Sequence, residues 1–226
     1  MAIKKDDFVE IEFTGKLVDE GLIFDTTDEK TAKDNEIYNE QQSYGPVTII
    51  IGTNQVVSGL DKFLEGKEPG DYKVNLGPEE GFGKKRTDLL RLIPTKIFIK
   101  QQINPMPGLP INIDGLNGII KTVSGGRCIV DFNHPFAGKK IFYEVKIIKI
   151  VGDEKEKIVS IVALQMKKNE FDVFVENGSA KIILKKQMHK EVQKLIEDMI
   201  KKHVGIKKVT FEEQKSAKED KKSNKV

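Results

Sequence analysis

The sequence predicts an α+β protein: an antiparallel sheet wrapped on one short helix, a small β domain inserted into it, and a small α+β domain at the C-terminal end. Three observations point to this. Val47 to Ile51 form a β-branched run of the kind that favours strand, ended by Gly52. Val56, Val57, Leu60, Phe63 and Leu64 then recur at helical spacing up to Gly66, so a strand hands over to a short helix with one apolar face. Far downstream, Asn177-Gly178 stands between two short apolar runs, which is a strong signal for a two-residue hairpin.

The remaining elements follow in chain order. Phe8 to Phe13 alternates, so Phe8 and the even positions face one way and Val9, Ile11 and Phe13 the other. Gly15 and the turn Asp19-Glu20-Gly21 lead to a second strand ending at Phe24-Asp25. Residues 28–44 are polar and read as a solvated loop. Glu68-Pro69-Gly70-Asp71 has Pro and Gly where a type II turn favours them, and Tyr72 to Leu76 form the next strand. Between residues 86 and 130 short apolar segments are separated by glycine- and proline-rich turns, the pattern of a small β domain. Ile141 to Val151 is a long strand that returns to the first sheet. The expected domains are therefore 1–85 with 131–152, an insert at 86–130, and 153–214 in the order αββαβ. The charged tail 215–226 is expected to be disordered.

The chain has 226 residues, of which 32% are charged and 38% hydrophobic, enough apolar material for cores. Its net charge is +3, with 20 basic against 22 acidic residues up to residue 152 and 18 against 13 after it. Neither part has the strongly basic face that nucleic-acid binding requires, so no nucleic-acid partner is expected. Cys128 is the single cysteine, which excludes an intrachain disulfide and fits a reducing compartment. The N-terminal MAIKKDDF lacks the apolar core of a signal peptide, and no apolar run approaches the roughly 18 residues that span a bilayer. A cytoplasmic protein with no membrane partner is expected.

Several chemistries are poorly supported. His134, His189 and His203 are far apart and no HxxxH or CxxC spacing occurs, so neither a metal site nor any other cofactor is expected. Gly81-Phe82-Gly83 lacks the following Lys-Ser/Thr of a phosphate loop, and Ser58 lacks the context of a nucleophile elbow. What remains is an apolar site. The helix starting near Val57 has N–H groups without intrahelical partners, and Val56, Val57 and Leu60 surround them with hydrocarbon.

That stretch, with Phe13-Thr14-Gly15, Phe24-Asp25-Thr26, Glu80-Gly81-Phe82-Gly83 and the string from Asn133-His134-Pro135-Phe136-Ala137-Gly138-Lys139 to Tyr143-Glu144-Val145, resembles the FKBP family of peptidyl-prolyl cis/trans isomerases. The likeness covers residues 1–152 and is to the long, SlyD-like branch, in which a domain is inserted over the site; residues 153–226 look like the extra region of the long archaeal members. The resemblance implies an FKBP-like fold and a site with Asp25, Val57 and Phe82 as catalytic residues and Phe13, Phe24, Val47, Val56, Leu60 and Tyr143 as substrate-binding walls. It gives the Val57 N–H the role of anchoring the substrate carbonyl, and Asp25 that of the charged group near the rotating bond. Three positions depart from the family's pattern. Phe82 stands where a tyrosine usually bonds the substrate, Phe13 replaces a tyrosine that often supports the aspartate, and Leu60 occupies the floor held by tryptophan in short relatives. His134 is read as a structural, hydrogen-bonded histidine.

The implied substrates are unfolded or nascent polypeptides with X-Pro bonds. In the insert, Ile97, Phe98, Met106, Ile111 and Leu116 lie near prolines and glycines in a module too small to bury them all, and are expected to hold the client. The reading is of an isomerase that is also a folding chaperone; the alternative is a holdase with a vestigial pocket. The C-terminal domain, with few elements to cover its apolar faces, is expected to form a homodimer.

Overall fold

A computed structural model gives the structure, which describes residues 1–214; the tail expected to be disordered lies outside the described residues. At its centre is β1 (Phe8–Leu17), paired along its whole length with β9 (Ile141–Val151). The other edge of β1 is shared by β2 (Ile23–Thr26) at one end and β3 (Val47–Ile50) at the other, while β4 (Gly70–Leu76) pairs the far side of β9. Every pairing in this sheet is antiparallel.

The helix after the β-branched run is α2 (Ser58–Leu64), and it gives the sheet its core. Leu60 and Leu64 are fully buried in one cluster with Val9, Ile11, Leu17, Ile141 and Ile147. Burying each such side chain is worth roughly 1.5–3 kcal/mol, more than seven helical residues could gain from propensity alone. Phe8 turns the opposite way, as its alternation with Val9 requires.

Residues 28–44 are not all loop. α1 (Glu29–Asp34) forms there, because the Asp28 carboxylate caps it by accepting from the Thr31 N–H at 2.6 Å and Glu29 favours the first turn. Ala32, fully buried beneath it, is too small to have given the segment an apolar period.

The insert is a four-stranded antiparallel sheet in the order β5 (Leu90–Pro94), β8 (Arg127–Asp131), β7 (Leu116–Ser124), β6 (Pro110–Ile113). It also contains α3 (Thr95–Lys100), which the reading as an all-β module lacked. The run Ile97-Phe98-Ile99 imitates a strand, but the chain coils after Pro94 so that Phe98 alone turns inward, 1% exposed, against Ile120, Cys128 and Val130. Phe98 and Ile111 are therefore core and not client-facing surface. Ile97, Met106 and Leu116 are exposed.

After β9 the chain forms α4 (Glu154–Ala163), the hairpin β10 (Phe171–Glu176) and β11 (Ser179–Leu184), then α5 (Lys190–His203) and β12 (Lys208–Glu213). β12 pairs β11 in parallel, which the intervening helix permits. Ile158, Ile161, Val162, Ile182, Ile196 and Ile200 form its core, and Phe8, Ile50 and Val151 of the first sheet join the same cluster. His203 Nδ1 also lies 3.2 Å from Asp6 Oδ1. The first sheet thus covers one apolar face of the C-terminal unit, while Phe174 on β10 and Leu195 on α5 remain more than half exposed. None of the described helices is long and apolar enough to cross a membrane.

Candidate active site

Gly15 organises the site. In the register of the sheet it stands between Asp25 on β2 and Tyr143 on β9. A Cβ at this position would lie 2.6 Å from Tyr143 Cε1 and 2.9 Å from Phe24 Cζ, so only glycine lets the two rings close over β1. Phe24 then meets Phe82 at 5.4 Å, Phe136 at 5.3 Å and Tyr143 at 5.8 Å between ring centroids, and Phe13 meets Tyr143 at 5.8 Å. Most of these contacts are edge-to-face, the arrangement that aromatic quadrupoles favour. Half-buried Val47, Val56 and Val57 belong to the same cluster, above the fully buried Leu60. Of the nine residues assigned to the pocket, Phe13, Phe24, Phe82 and Tyr143 meet in this aromatic group, Asp25 faces Tyr143 across Gly15 in the register, Val56, Val57 and Leu60 lie at the α2 start, and Val47 lies on β3 opposite Ile11.

Two local arrangements supply polarity. Val57 precedes α2 in an extended conformation, and its carbonyl accepts from the Asp61 N–H at 3.0 Å. Among the described residues none accepts from the Val57 N–H, which leaves a donor beside Val56 without a partner inside the chain. The next donors are used: Gly59 N–H and Ser58 Oγ both donate to the Glu80 carbonyl, at 2.7 and 3.2 Å. A Cβ at Gly59 would sit 2.6 Å from Glu80 Cβ, so this glycine admits the loop that carries Phe82.

Asp25 is partly buried, which pushes its carboxyl above the ordinary range against the opposing hydrogen bond from the Thr26 backbone. Burial also drives the Tyr143 hydroxyl well above its usual value, and the Asp25 charge adds to the effect. The hydroxyl therefore stays protonated, a neutral donor beside the carboxylate.

Two members were not assigned to the pocket in advance. His134 stacks on Phe82 at 4.5 Å with the rings 3° from parallel, and its Nδ1 accepts from the Phe136 N–H at 3.2 Å. Phe136 packs edge-on against Phe82 at 5.3 Å. Both sit in a loop, where neither a helical nor a strand period exists to reveal an inward side chain; the density of aromatics around Pro135 was the available signal.

The chain matches the family model described as FKBP-type peptidyl-prolyl cis-trans isomerase over residues 1–96 and that described as FKBP26, IF domain, over 91–136. A short-type peptidyl-prolyl cis-trans isomerase of Methanocaldococcus jannaschii is 32% identical over 155 residues, which cover 68% of this chain and 98% of that protein. The chain belongs to the FKBP family of peptidyl-prolyl cis-trans isomerases. SlyD of Haemophilus influenzae is 28% identical over 137 residues, 58% of this chain and 71% of its own length. An FKBP-type 16 kDa isomerase of Escherichia coli is 26% identical over 154 residues, 66% and 94% respectively.

The reaction of an FKBP asks little of its residues beyond this geometry. An X-Pro amide rotates over a barrier of roughly 18–20 kcal/mol because its resonance must be broken. At the twisted transition state conjugation is lost, and with it part of the amide dipole, so an apolar surface favours it over the planar ground state. A rate factor of about a thousand needs only about 4 kcal/mol of such differential binding. No group has to form a bond or transfer a proton.

Proposed function

We propose that this FKBP is a folding helper, in which the aromatic site isomerises X-Pro bonds of unfolded or nascent chains while the insert holds the chain. The observation that carries the reading is the distribution of exposed apolar groups. Of the fifteen large hydrophobic side chains exposed among the described residues, eight lie between Leu90 and Ile129. Leu92, Ile99 and Met106 are each more than half exposed, although the module has a closed core of its own around Phe98 and Ile120. Exposed apolar groups on an already folded module mark a surface for weak association, and the thioether of Met106 adapts to varied partners.

The site and the holding surface reinforce each other through proximity. A client held on the insert has its prolines at a raised effective concentration near Phe82, because two short segments join insert and sheet. Ile97 and Leu116 extend the surface, with Phe98 and Ile111 beneath it. The holdase alternative, with a vestigial pocket, gains its support from Phe82 and Phe13, which lack the hydroxyls their positions usually carry.

A competition experiment tests the proposal. Proline-limited refolding of a reporter protein and protease-coupled isomerisation of a tetrapeptide are measured with increasing amounts of a permanently unfolded chain that lacks proline. Inhibition of the first with the second unchanged is expected; equal inhibition of both would place the holding surface in the pocket and refute the proposal, and the absence of any tetrapeptide activity would leave only the holdase.

A further inference from the structure

We infer that Asp61 is a positioning residue of the isomerase, whose buried carboxylate fixes the turn that presents Val56 and Val57 to the substrate. Asp61 lies on α2 next to Leu60, the floor of the site, and is 4% exposed. Its two oxygens are both committed to backbone. Oδ1 accepts from the Gly52 N–H and Oδ2 from the Asn54 N–H, each at 2.9 Å. Among the described residues no lysine, arginine or histidine pairs with it. A buried charge held only by neutral amides costs free energy that a hydrocarbon side chain would avoid. Packing alone therefore gives no reason for a carboxylate here, and the turn it grips does.

That turn is short and conformationally demanding. Gly52 and Asn54 both have positive φ, 86° and 54°, and the second is a non-glycine residue in the left-handed region. The segment from Gly52 to Val57 has no regular secondary structure; Thr53 donates to the Ile50 carbonyl from its N–H at 3.3 Å and its Oγ1 at 2.8 Å, and Gln55 Oε1 accepts from the Ile50 N–H at 2.9 Å. These bonds tie the turn to β3. Asp61 ties it to α2, one bond on each side of Thr53, and its own N–H reaches the Val57 carbonyl at 3.0 Å. The Asp61 side chain thus fixes Gly52 and Asn54 against α2, while its backbone N–H closes the first turn of that helix on Val57, so both ends of the segment carrying Val56 and Val57 are held from one residue.

The inference rests on the reading that the Val57 N–H meets the substrate carbonyl, and the experiment separates the two. Asp61→Asn and Asp61→Glu are studied in the full chain by amide NMR, thermal melting and the tetrapeptide assay well below the melting temperature. For a cooperatively folded Asp61→Asn, the Gly52, Asn54 and Val57 amide resonances should shift and KM should rise about fivefold to tenfold with kcat changed less, as loss of an interaction made throughout the reaction requires. Asp61→Glu, which keeps the charge on a longer stem, should recover part of that loss. A purely structural residue would lower the melting temperature and leave KM alone. A Val57 resonance that does not move overturns the positioning role; a resonance that moves while KM stays within twofold overturns the role of the Val57 donor instead. If Asp61→Asn does not fold, Asp61→Glu decides by the same two readouts.

Discussion

The carboxamide of Asn133 clasps the backbone of Arg86 across 47 positions of sequence, its Oδ1 accepting from the Arg86 N–H at 2.8 Å and its Nδ2 donating to the Arg86 carbonyl at 2.9 Å. These residues lie where the chain leaves the first sheet for the insert and where it comes back. Buried Asp131 steadies the clasp, accepting from Asn133 N–H at 3.0 Å and Nδ2 at 2.8 Å, with Lys85 Nζ 3.3 Å away. Asn133→Ala removes both clasping bonds, each worth about 1 kcal/mol. Faster hydrogen exchange at the Arg86 amide and a severalfold loss of refolding catalysis are expected, with tetrapeptide turnover within about twofold. Burial pushes the Asp131 carboxyl upward, but the Asn133 bonds and Lys85 outweigh it and hold it below the usual range. A depressed carboxylate stabilises above its unfolded value and ceases to as pH falls through the folded one. Arg86 amide protection should therefore persist at pH 5 and be lost only below about pH 4.

Asp25 has the opposite sign. Its carboxyl is raised by burial, so the ionised form costs stability above the folded value, and that cost vanishes once the pH is below the unfolded one. Asp25→Asn should raise the melting temperature at pH 7, with the gain shrinking as pH falls towards 4, while kcat/KM drops. A variant that is less stable at pH 7 would show that Asp25 serves the fold.

Phe82 is held by His134 on its face and by Phe24 and Phe136 at its edges. Phe82→Tyr should keep or raise tetrapeptide activity, since it adds a donor to an apolar surface at about 1 kcal/mol per hydrogen bond. His134→Ala removes the stacked partner and should lower kcat/KM severalfold without unfolding the sheet, as read from the melting curve.

Ending the chain after Gly152 would uncover Phe8, Ile50 and Val151, which are each at most 3% exposed. Ile50 shares β3 with Val47, so the loss reaches the wall of the site. The truncated protein should melt earlier, bind a hydrophobic dye and aggregate, as read from thermal melting and light scattering. A truncated form as stable as the whole would mean that the two units do not share a core.

How much could be read beforehand depended on the kind of pattern. The strand Ile141 to Val151 and the order of the last five elements were legible because alternation, helical spacing and Asn177-Gly178 are local signals. α1 was not, since its cause is one cap at Asp28 and one small buried residue, Ala32. α3 was not anticipated, because Ile97-Phe98-Ile99 shows no helical period and only the tertiary core selects Phe98. The same limit applies in the site: Asp25, Phe24 and Tyr143 stand at recognisable positions, whereas His134 stacks on Phe82 from a loop and Asp61 on α2 grips the turn at Gly52 and Asn54, contacts that no period encodes. The docking of Phe8, Ile50 and Val151 into the last unit was equally hidden, because an apolar residue does not declare which of two cores it joins.

The proposed function puts the holding of an unfolded client and the isomerisation of its prolines on separate surfaces of one chain. The most direct measurement is the ratio of refolding catalysis to tetrapeptide kcat/KM in a variant carrying Leu92→Ser, Ile99→Ser and Met106→Ser, all exposed positions whose change should leave the insert folded. The expected result is a ratio at least tenfold lower, with tetrapeptide kcat/KM within about twofold of the unaltered protein. An unchanged ratio would contradict the account and move client holding away from the insert.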